Sequence, residues 1–455
     1  MLKIINPANG QLIQELTEDT NQSVTTKMDL ARQHLPSWME AGIKKRVSII
    51  EKFDSLLEEN KDKLARDLSF EVGKPLQEAL NEVAGARKRI KFFLSNSEQW
   101  LGEKQQHVDG NTTEVLGFDP LGVIANISAW NYPFLVGVNV FIPALIAGNA
   151  VLYKPSEFSS ITGSNIATLL HKAGVPKDIF ALIIGTGKIG EVLLQLPLDG
   201  YFFTGSYKTG KYIAEKVAHK LVPVGLELGG KDPLYVTDDV SDLKQVAGAV
   251  AEGCFYNNGQ SCCAVERVYV HTKVYDQFLK HFVDEVKNLK LGDPLKKETN
   301  VGAVTRPVHL GFLEEQLADA KNKGAEILTG GKKVPGTGSF FEPTVLSKVS
   351  HSMRIMKEET FGPIIGVMKV DNDQQAVELM NDCDYGLTAA VYSSNQNRAK
   401  QILAKIDAGT SYINCCDRVS AYLPWAGRKN SGLGQTLSYL GILAFAKPRG
   451  WHIRG

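Results

Sequence analysis

Between residues 122 and 230, short apolar runs and helical stretches take turns with little between them. In order they read GVIANIS, a helix over 134–147, AVLYK, a helix over 161–173, FALIIG, a short helix, YFFTG, a helix over 209–220, and VGLELGG. Continuous apolar runs of this length are strands buried on both faces, and the helices between them supply the crossovers. The pattern predicts an α/β fold: a doubly wound, mostly parallel, Rossmann-like sheet that takes its ligand at the carboxyl ends of the strands. A second α/β stretch follows, with DPLYVT, a helix over 242–253, RVYVHT, a helix over 275–289 and a polar loop at GDPLKKETN. The last part holds AAVYSS, a helix over 396–406, SYINC, the Gly- and Pro-rich LPWAGRKNSGLG, and AFAKPRGWHIR as a terminal strand. At the other end, residues 2–13 read as a hairpin turning at Asn9-Gly10. Residues 21–101 read as helical, with Ile43, Val47, Ile50, Phe53 and Leu57 on one face.

With 455 residues the chain exceeds one ordinary core, so two or more domains are expected. The formal net charge of +1 leaves no electrostatic footprint for nucleic acid and no pull toward an anionic membrane. Residues 120–153 carry no charged side chain. Asn126, Asn131, Asn139, Asn149, Pro133 and Pro143 interrupt them, which suits a buried strand and helix better than a lipid-facing span. The start, MLKIINPANGQ, lacks a basic segment followed by an apolar one, so no signal peptide is expected. The six cysteines form no C-x-x-C pair, and a reducing, cytoplasmic setting is expected.

Five stretches could carry chemistry. GTGKIG (185–190) matches the glycine spacing of a dinucleotide turn, yet the acidic residue expected about 20 positions on is missing. It reads equally as a strand-to-helix turn. In FFTGSYKTG, Thr204, Gly205 and Ser206 close a strand and open a helix, which suits a pyrophosphate; a bare Ser cap is the alternative. In AVLYKPSE, Lys154 and Glu157 lie past a strand end. Glu157 could accept two ribose hydroxyls and would repel a 2′-phosphate, although alone the pair reads as a solvated surface pair. In LELGGK, Glu227 stands among Val224, Leu226 and Leu228, where desolvation raises a carboxyl toward the range of a general base. In NNGQSCCAVER, Cys262 follows a polar, Gly-containing approach that suits exposed backbone amides better than a core. Metal binding would need more ligands than the scattered histidines supply, so a nucleophile is the leading reading there.

LELGGK (226–231), F-x-N-x-G-Q-x-C (255–262), AWNYP (129–133), FTGS (203–206), EETFGP (358–363) and a G-x-K-x-S-G-like stretch (427–432) together resemble the aldehyde dehydrogenase superfamily, in its NAD(P)-dependent, non-acylating branch. The resemblance implies an NAD-binding domain over 1–105 and 119–227, a catalytic α/β domain over 228–430, and a small β oligomerisation extension from the bridging segments 106–118 and 431–455. It implies a homodimer or homotetramer in which a terminal strand joins a neighbour's sheet. It further implies that Cys262 is the nucleophile and Cys263 a bystander facing elsewhere, that Glu227 is the general base, and that Asn131 with the Cys262 N–H forms the oxyanion site. Trp130, Lys154, Glu157, Gly205, Ser206, Leu228, Glu359 and Phe361 fall at cofactor contacts, for NAD with NADP possible. Tyr132, Val136 and Trp425 would line an apolar, aromatic substrate passage. Position 139, where relatives specific for succinic semialdehyde tend to carry Arg, is Asn. The expected substrate is therefore a small to medium uncharged or aromatic aldehyde. A semialdehyde dehydrogenase using NADP and a CoA-acylating relative are the alternatives.

Overall fold

The computed structural model describes residues 1–416 and 418–455. Four helices, Asn21–Glu40, Gly42–Glu59, Lys61–Val72 and Leu76–Leu101, follow an N-terminal hairpin of Leu2–Ile5 and Leu12–Leu16. Their starts and stops are local chemistry. Thr20 and Ser23 form a reciprocal capping box on the first, and Gly73 ends the third in a left-handed conformation.

The first sheet runs in the order Gly432–Leu433, Val224–Glu227, Gly200–Thr204, Val123–Ile127, Ala150–Lys154, Phe180–Leu182. All neighbours are parallel except Gly432–Leu433, which pairs antiparallel with Val224–Glu227. Chain order reverses between Val123–Ile127 and Gly200–Thr204, and the crevice outside such a switch point is where ligands sit. Lys154, Thr204 and Glu227 are the last residues of three of these strands.

The second sheet has the order Glu326–Thr329, Thr344–Ser347, Ile364–Val370, Val265–His271, Asp232–Val236, Thr388–Tyr392, Thr410–Ile413, parallel apart from its first strand. One buried cluster joins the first sheet to the N-terminal helices, and two others cover the faces of the second sheet. Cys263, Trp425, Leu437 and Phe445 return from distant sequence to the first cluster. A third sheet, antiparallel, pairs Lys104–Asp109 with Thr112–Pro120 and Thr112–Pro120 with Ala446–Arg454.

The strand–helix succession over 122–230 appears as expected, with boundary corrections. The helix expected over 209–220 begins at Tyr207, so Ser206 is its N-cap, and it tightens to a 3-10 turn at Ala218–Lys220. The helix expected over 396–406 ends at Leu403. Elements between 300 and 387 had no counterpart in the sequence pattern: the helix His309–Asn322, the strands Glu326–Thr329, Thr344–Ser347 and Ile364–Val370, and the helix Asp373–Asn381. Among the described residues, no helix is long and apolar enough to cross a membrane.

Candidate active site

The nucleophile segment leaves the helix Leu243–Phe255 through three successive left-handed residues, Asn257 (φ 53°), Asn258 (φ 60°) and Gly259 (φ 70°). Asn tolerates this region because its short amide bonds locally. The polar approach to Cys262, whose composition suggested exposure rather than a core, is in fact buried. Asn257, Asn258, Gln260 and Ser261 are all buried. Their amides serve as an internal frame: Asn258 Nδ2 donates to Ala303 O at 2.9 Å, and Gln260 Oε1 accepts from Thr305 N at 2.9 Å. A Cβ on Gly259 would strike the Gly362 carbonyl, so only glycine fits there. Cys262 itself is part exposed.

Cys262 stands where two cavities meet. The first, of about 740 Å³, opens at the carboxyl ends of the first sheet. It gathers Asn131, Glu227 and Cys262 together with Trp130, Lys154, Glu157, Gly205, Ser206, Leu228, Glu359 and Phe361. Two helix N-termini open on it, one capped by the Ser206 side chain and one whose N-cap position, Thr186, makes no side-chain cap bond. Gly187 and Gly190 of the ambiguous GTGKIG turn line it too, with open space at the Gly187 Cβ position. Paired N-termini with a lysine and a carboxylate nearby suit the pyrophosphate and ribose of a dinucleotide. Lys154 is not a solvated surface residue: it is buried, and desolvation lowers its pKa. Arg306, His309 and Phe312 form part of the wall, and nothing in the sequence pattern singled them out.

Glu227 ends its strand facing this cavity. Thr436 Oγ1 donates to its Oε1 at 3.2 Å, while its enclosed Oε2 has no hydrogen-bond partner among the described residues. Burial pushes its carboxyl up to about 8; Thr436 and the more distant Arg89 charge oppose that rise. Thr436, about two hundred positions away, was invisible to sequence reasoning. Glu359 accepts from Gly230 N at 3.0 Å, and burial also pushes it up to about 8. The loop beside it is pinned by Glu266, which accepts from Thr360 N, Phe361 N and Lys231 Nζ. The Phe361 and Trp130 rings meet edge to face at 5.4 Å.

The second cavity, of about 900 Å³, lies on the other side of Cys262 and gathers Tyr132, Val136 and Trp425. Cys263 is buried, 3.4 Å from Ser261 Oγ, and it borders this second cavity but not the first. It therefore faces away from the cofactor side while remaining beside the substrate side. The passage is less apolar than expected. Lys88, Arg89, Lys91, Glu252 and Arg418 share its wall with Phe92, Tyr256 and Tyr422. Arg89 Nη1 donates to Asn139 Oδ1 at 3.0 Å and to Leu135 O at 3.1 Å. The helix Leu76–Leu101 thus brings a guanidinium to the wall beside Asn139, which only the folded chain reveals.

The model of the aldehyde dehydrogenase family matches residues 1–449. The chain is 34% identical to aminoaldehyde dehydrogenase 1, peroxisomal, of Pisum sativum, over 96% of this chain and 89% of the relative. It is 33% identical to the chloroplastic betaine aldehyde dehydrogenase of Amaranthus hypochondriacus, over 97% and 90%. The crystal structure of an NADP-dependent enzyme of E. coli superposes with a TM-score of 0.96 at 31% identity, covering 100% of this chain and 95% of that one. Betaine aldehyde dehydrogenase of Staphylococcus aureus, solved with NAD+, gives 0.95 at 31% identity, covering 99% and 91%. With that match across the chain, and a crevice suited to the dinucleotide these oxidoreductases use, the protein belongs to the aldehyde dehydrogenase family.

Proposed function

We propose that the protein oxidises an aldehyde to its acid through a covalent intermediate on Cys262. The observation that carries this reading is the position of Cys262 between two cavities, with Asn131 and Glu227 on the cofactor side. The Cys262 thiolate adds to the aldehyde carbon, and the carbonyl oxygen becomes an oxyanion held by the Asn131 amide and the Cys262 N–H. A preorganised donor of this kind is worth about 3 kcal/mol. Bound NAD supplies the acceptor for the hydride that leaves this carbon. The carbonyl then reforms as a thioester. Glu227 takes a proton from water through its unpartnered Oε2, hydroxide adds to the thioester, and the Cys262 sulfur leaves as thiolate with release of the acid. Lys154 and Glu157 would hold the adenosine ribose, Ser206 and Gly205 the pyrophosphate, and Glu359 with Phe361 the nicotinamide ribose, with Trp130 and Leu228 in the same cavity wall. Glu157 disfavours a 2′-phosphate, so NAD is preferred to NADP.

Tyr132, Val136 and Trp425 favour an uncharged or aromatic aldehyde. The named substrates of the plant relatives are aminoaldehydes and betaine aldehyde. A cationic aldehyde fits this passage poorly, because Lys88, Arg89, Lys91 and Arg418 face Glu252 alone among its described charged residues. The same basic wall supports one second reading, a dicarboxylic semialdehyde.

The sheets support the domain division, with one adjustment: Gly432–Leu433, inside the 431–455 bridging segment, pairs with the cofactor sheet. The strand Ala446–Arg454 is exposed along the edge of its sheet, which supports a homodimer or homotetramer built through it. That the six cysteines form no disulfide among the described residues supports a cytoplasmic setting.

The test is an NADH-absorbance screen over aromatic, aliphatic, amino- and carboxy-aldehydes with NAD and NADP, joined to mass spectrometry of enzyme quenched during turnover. Acylated Cys262 is expected, with best kcat/KM for aromatic or uncharged aldehydes and NAD. Undiminished aldehyde oxidation by Cys262→Ser would sink the mechanism. A clear preference for carboxy-aldehydes would replace the substrate assignment with the second reading.

A further inference from the structure

Lys74 and Glu82 form an ion pair with no side-chain exposure. Removing two charges from water costs several kcal/mol each, and apolar residues of similar volume are often at least as stable. A pair kept in such a place calls for a reason beyond packing, and its contacts supply one. Lys74 Nζ donates to the main-chain oxygen of Asn131 at 2.8 Å, and its ammonium lies 3.9 Å from the centre of the Tyr132 ring. Glu82 Oε1 accepts from Phe134 N at 2.9 Å, satisfying a donor at the start of the helix Pro133–Ala147. The pair therefore holds the backbone on both sides of Tyr132.

The Asn131 oxygen accepts a second hydrogen bond, from Asn257 Nδ2 at 3.1 Å, and Asn257 Nδ2 also donates to Gln260 O at 2.9 Å. Glu78, in the first turn of the helix Leu76–Leu101, accepts from Asn257 N at 2.7 Å. One largely buried network anchored at residues 74–82, with Glu78 at its half-buried edge, thus fastens the segment bearing Asn131 to the segment bearing Cys262.

We propose that the Lys74–Glu82 pair is a positioning device that sets the Asn131 amide relative to the Cys262 sulfur, so that the oxyanion forms against a donor already in place. The proposal rests on reading Asn131 as an oxyanion donor and Cys262 as the nucleophile. Neither Lys74 nor Glu82 lines either cavity; they act through Asn131.

The experiment is a double-mutant cycle on the full chain, with Lys74→Met, Asn131→Ala and both together. Displacing a reacting group by about 1 Å costs on the order of a hundredfold in rate. Lys74→Met is expected to lower kcat about a hundredfold. KM for the aldehyde, the NAD dissociation constant and the rate of Cys262 alkylation by iodoacetamide should stay within about threefold. In the Asn131→Ala background, Lys74→Met should cost less than about threefold more. Equal fold losses in both backgrounds would overturn the proposal, because Lys74 would then act independently of Asn131. Lys74→Met leaves Glu82 buried without its cation, so Lys74→Met/Glu82→Leu serves where the single variant fails to fold. This charge-free pair should give a folded protein with unchanged NAD binding and the same loss of kcat. Wild-type kcat in it would equally overturn the proposal. Full activity in Asn131→Ala alone would instead reject the oxyanion reading, an outcome separate from any result at position 74.

Discussion

Glu227 is held in two conflicting environments. Apolar neighbours and enclosure drive its carboxyl toward the neutral form, whereas the Thr436 hydroxyl and the Arg89 charge favour the anion. Burial prevails, and the group titrates near 8 rather than in the ordinary carboxylate range. A carboxyl titrating there is a stronger base than an ordinary one, at the cost of being partly protonated at neutral pH. If hydrolysis of the thioester limits turnover, kcat should rise with pH up to about 8 and then level off. Glu227→Gln should lower kcat by 10²–10⁴-fold, the usual contribution of a general base. It should also abolish that rise and let acylated Cys262 accumulate. A kcat–pH profile with intact-mass analysis of quenched samples checks all three. An unchanged profile in the variant would remove Glu227 from the water-activating role.

The turn after Glu227 joins two halves of the site through adjacent glycines with different duties. A Cβ on Gly229 would strike the Glu359 carboxylate, and one on Gly230 would strike the Cys262 carbonyl. Gly229→Ala is therefore expected to raise KM for NAD several-fold while leaving Cys262 alkylation nearly unchanged. Gly230→Ala should slow that alkylation several-fold, because a backbone carbonyl cannot swing aside as a side chain can. Measuring both constants in both variants separates the effects, and identical losses would refute this division. Much of this geometry was legible beforehand. The two glycines, the apolar run before them and the Gly-Gln turn before Cys262 are local patterns, and local patterns survive in a sequence. Arg89, Lys74, Glu82 and Thr436 were not legible. Arg89, Lys74 and Glu82 sit in a stretch whose helical periodicity describes packing only, and each meets its partner through tertiary contact. The strands Lys104–Asp109 and Thr112–Pro120 were expected only through the family resemblance, as the 106–118 extension, and the apolar pattern missed them for another reason. Lys104–Asp109 is mostly exposed and polar, and Thr112–Pro120 is only partly buried, so neither carries the apolar signature that marks a buried parallel strand.

Across the whole molecule, placing the site where the two large sheets meet encloses several carboxyls at once. Burial pushes Glu227, Asp232 and Glu359 each up to about 8, and all lie at or beside the segment that joins the two sheets. In the unfolded chain these groups titrate near 4. Between those values the folded protein holds protons that the unfolded chain has released. Stability from these groups is therefore complete below about pH 4, falls as pH rises, and is lost above about 8. Each group contributes a slope of at most about 1.4 kcal/mol per pH unit. For a chain of 455 residues the unfolding entropy is about 1 kcal/mol per degree, so each group lowers the melting temperature by at most about 1.5 °C per pH unit in this window. Calorimetry from pH 5.5 to 8.5 should show a decline, and Glu227→Gln, which cannot ionise, should remove one group's share and melt above the wild type at pH 8.5. A variant that instead melted lower at pH 8.5 than at 5.5 by the full wild-type margin would mean that Glu227 is not titrating against its burial. The same desolvation that makes this carboxyl a usable base near neutral pH would then have to be sought elsewhere.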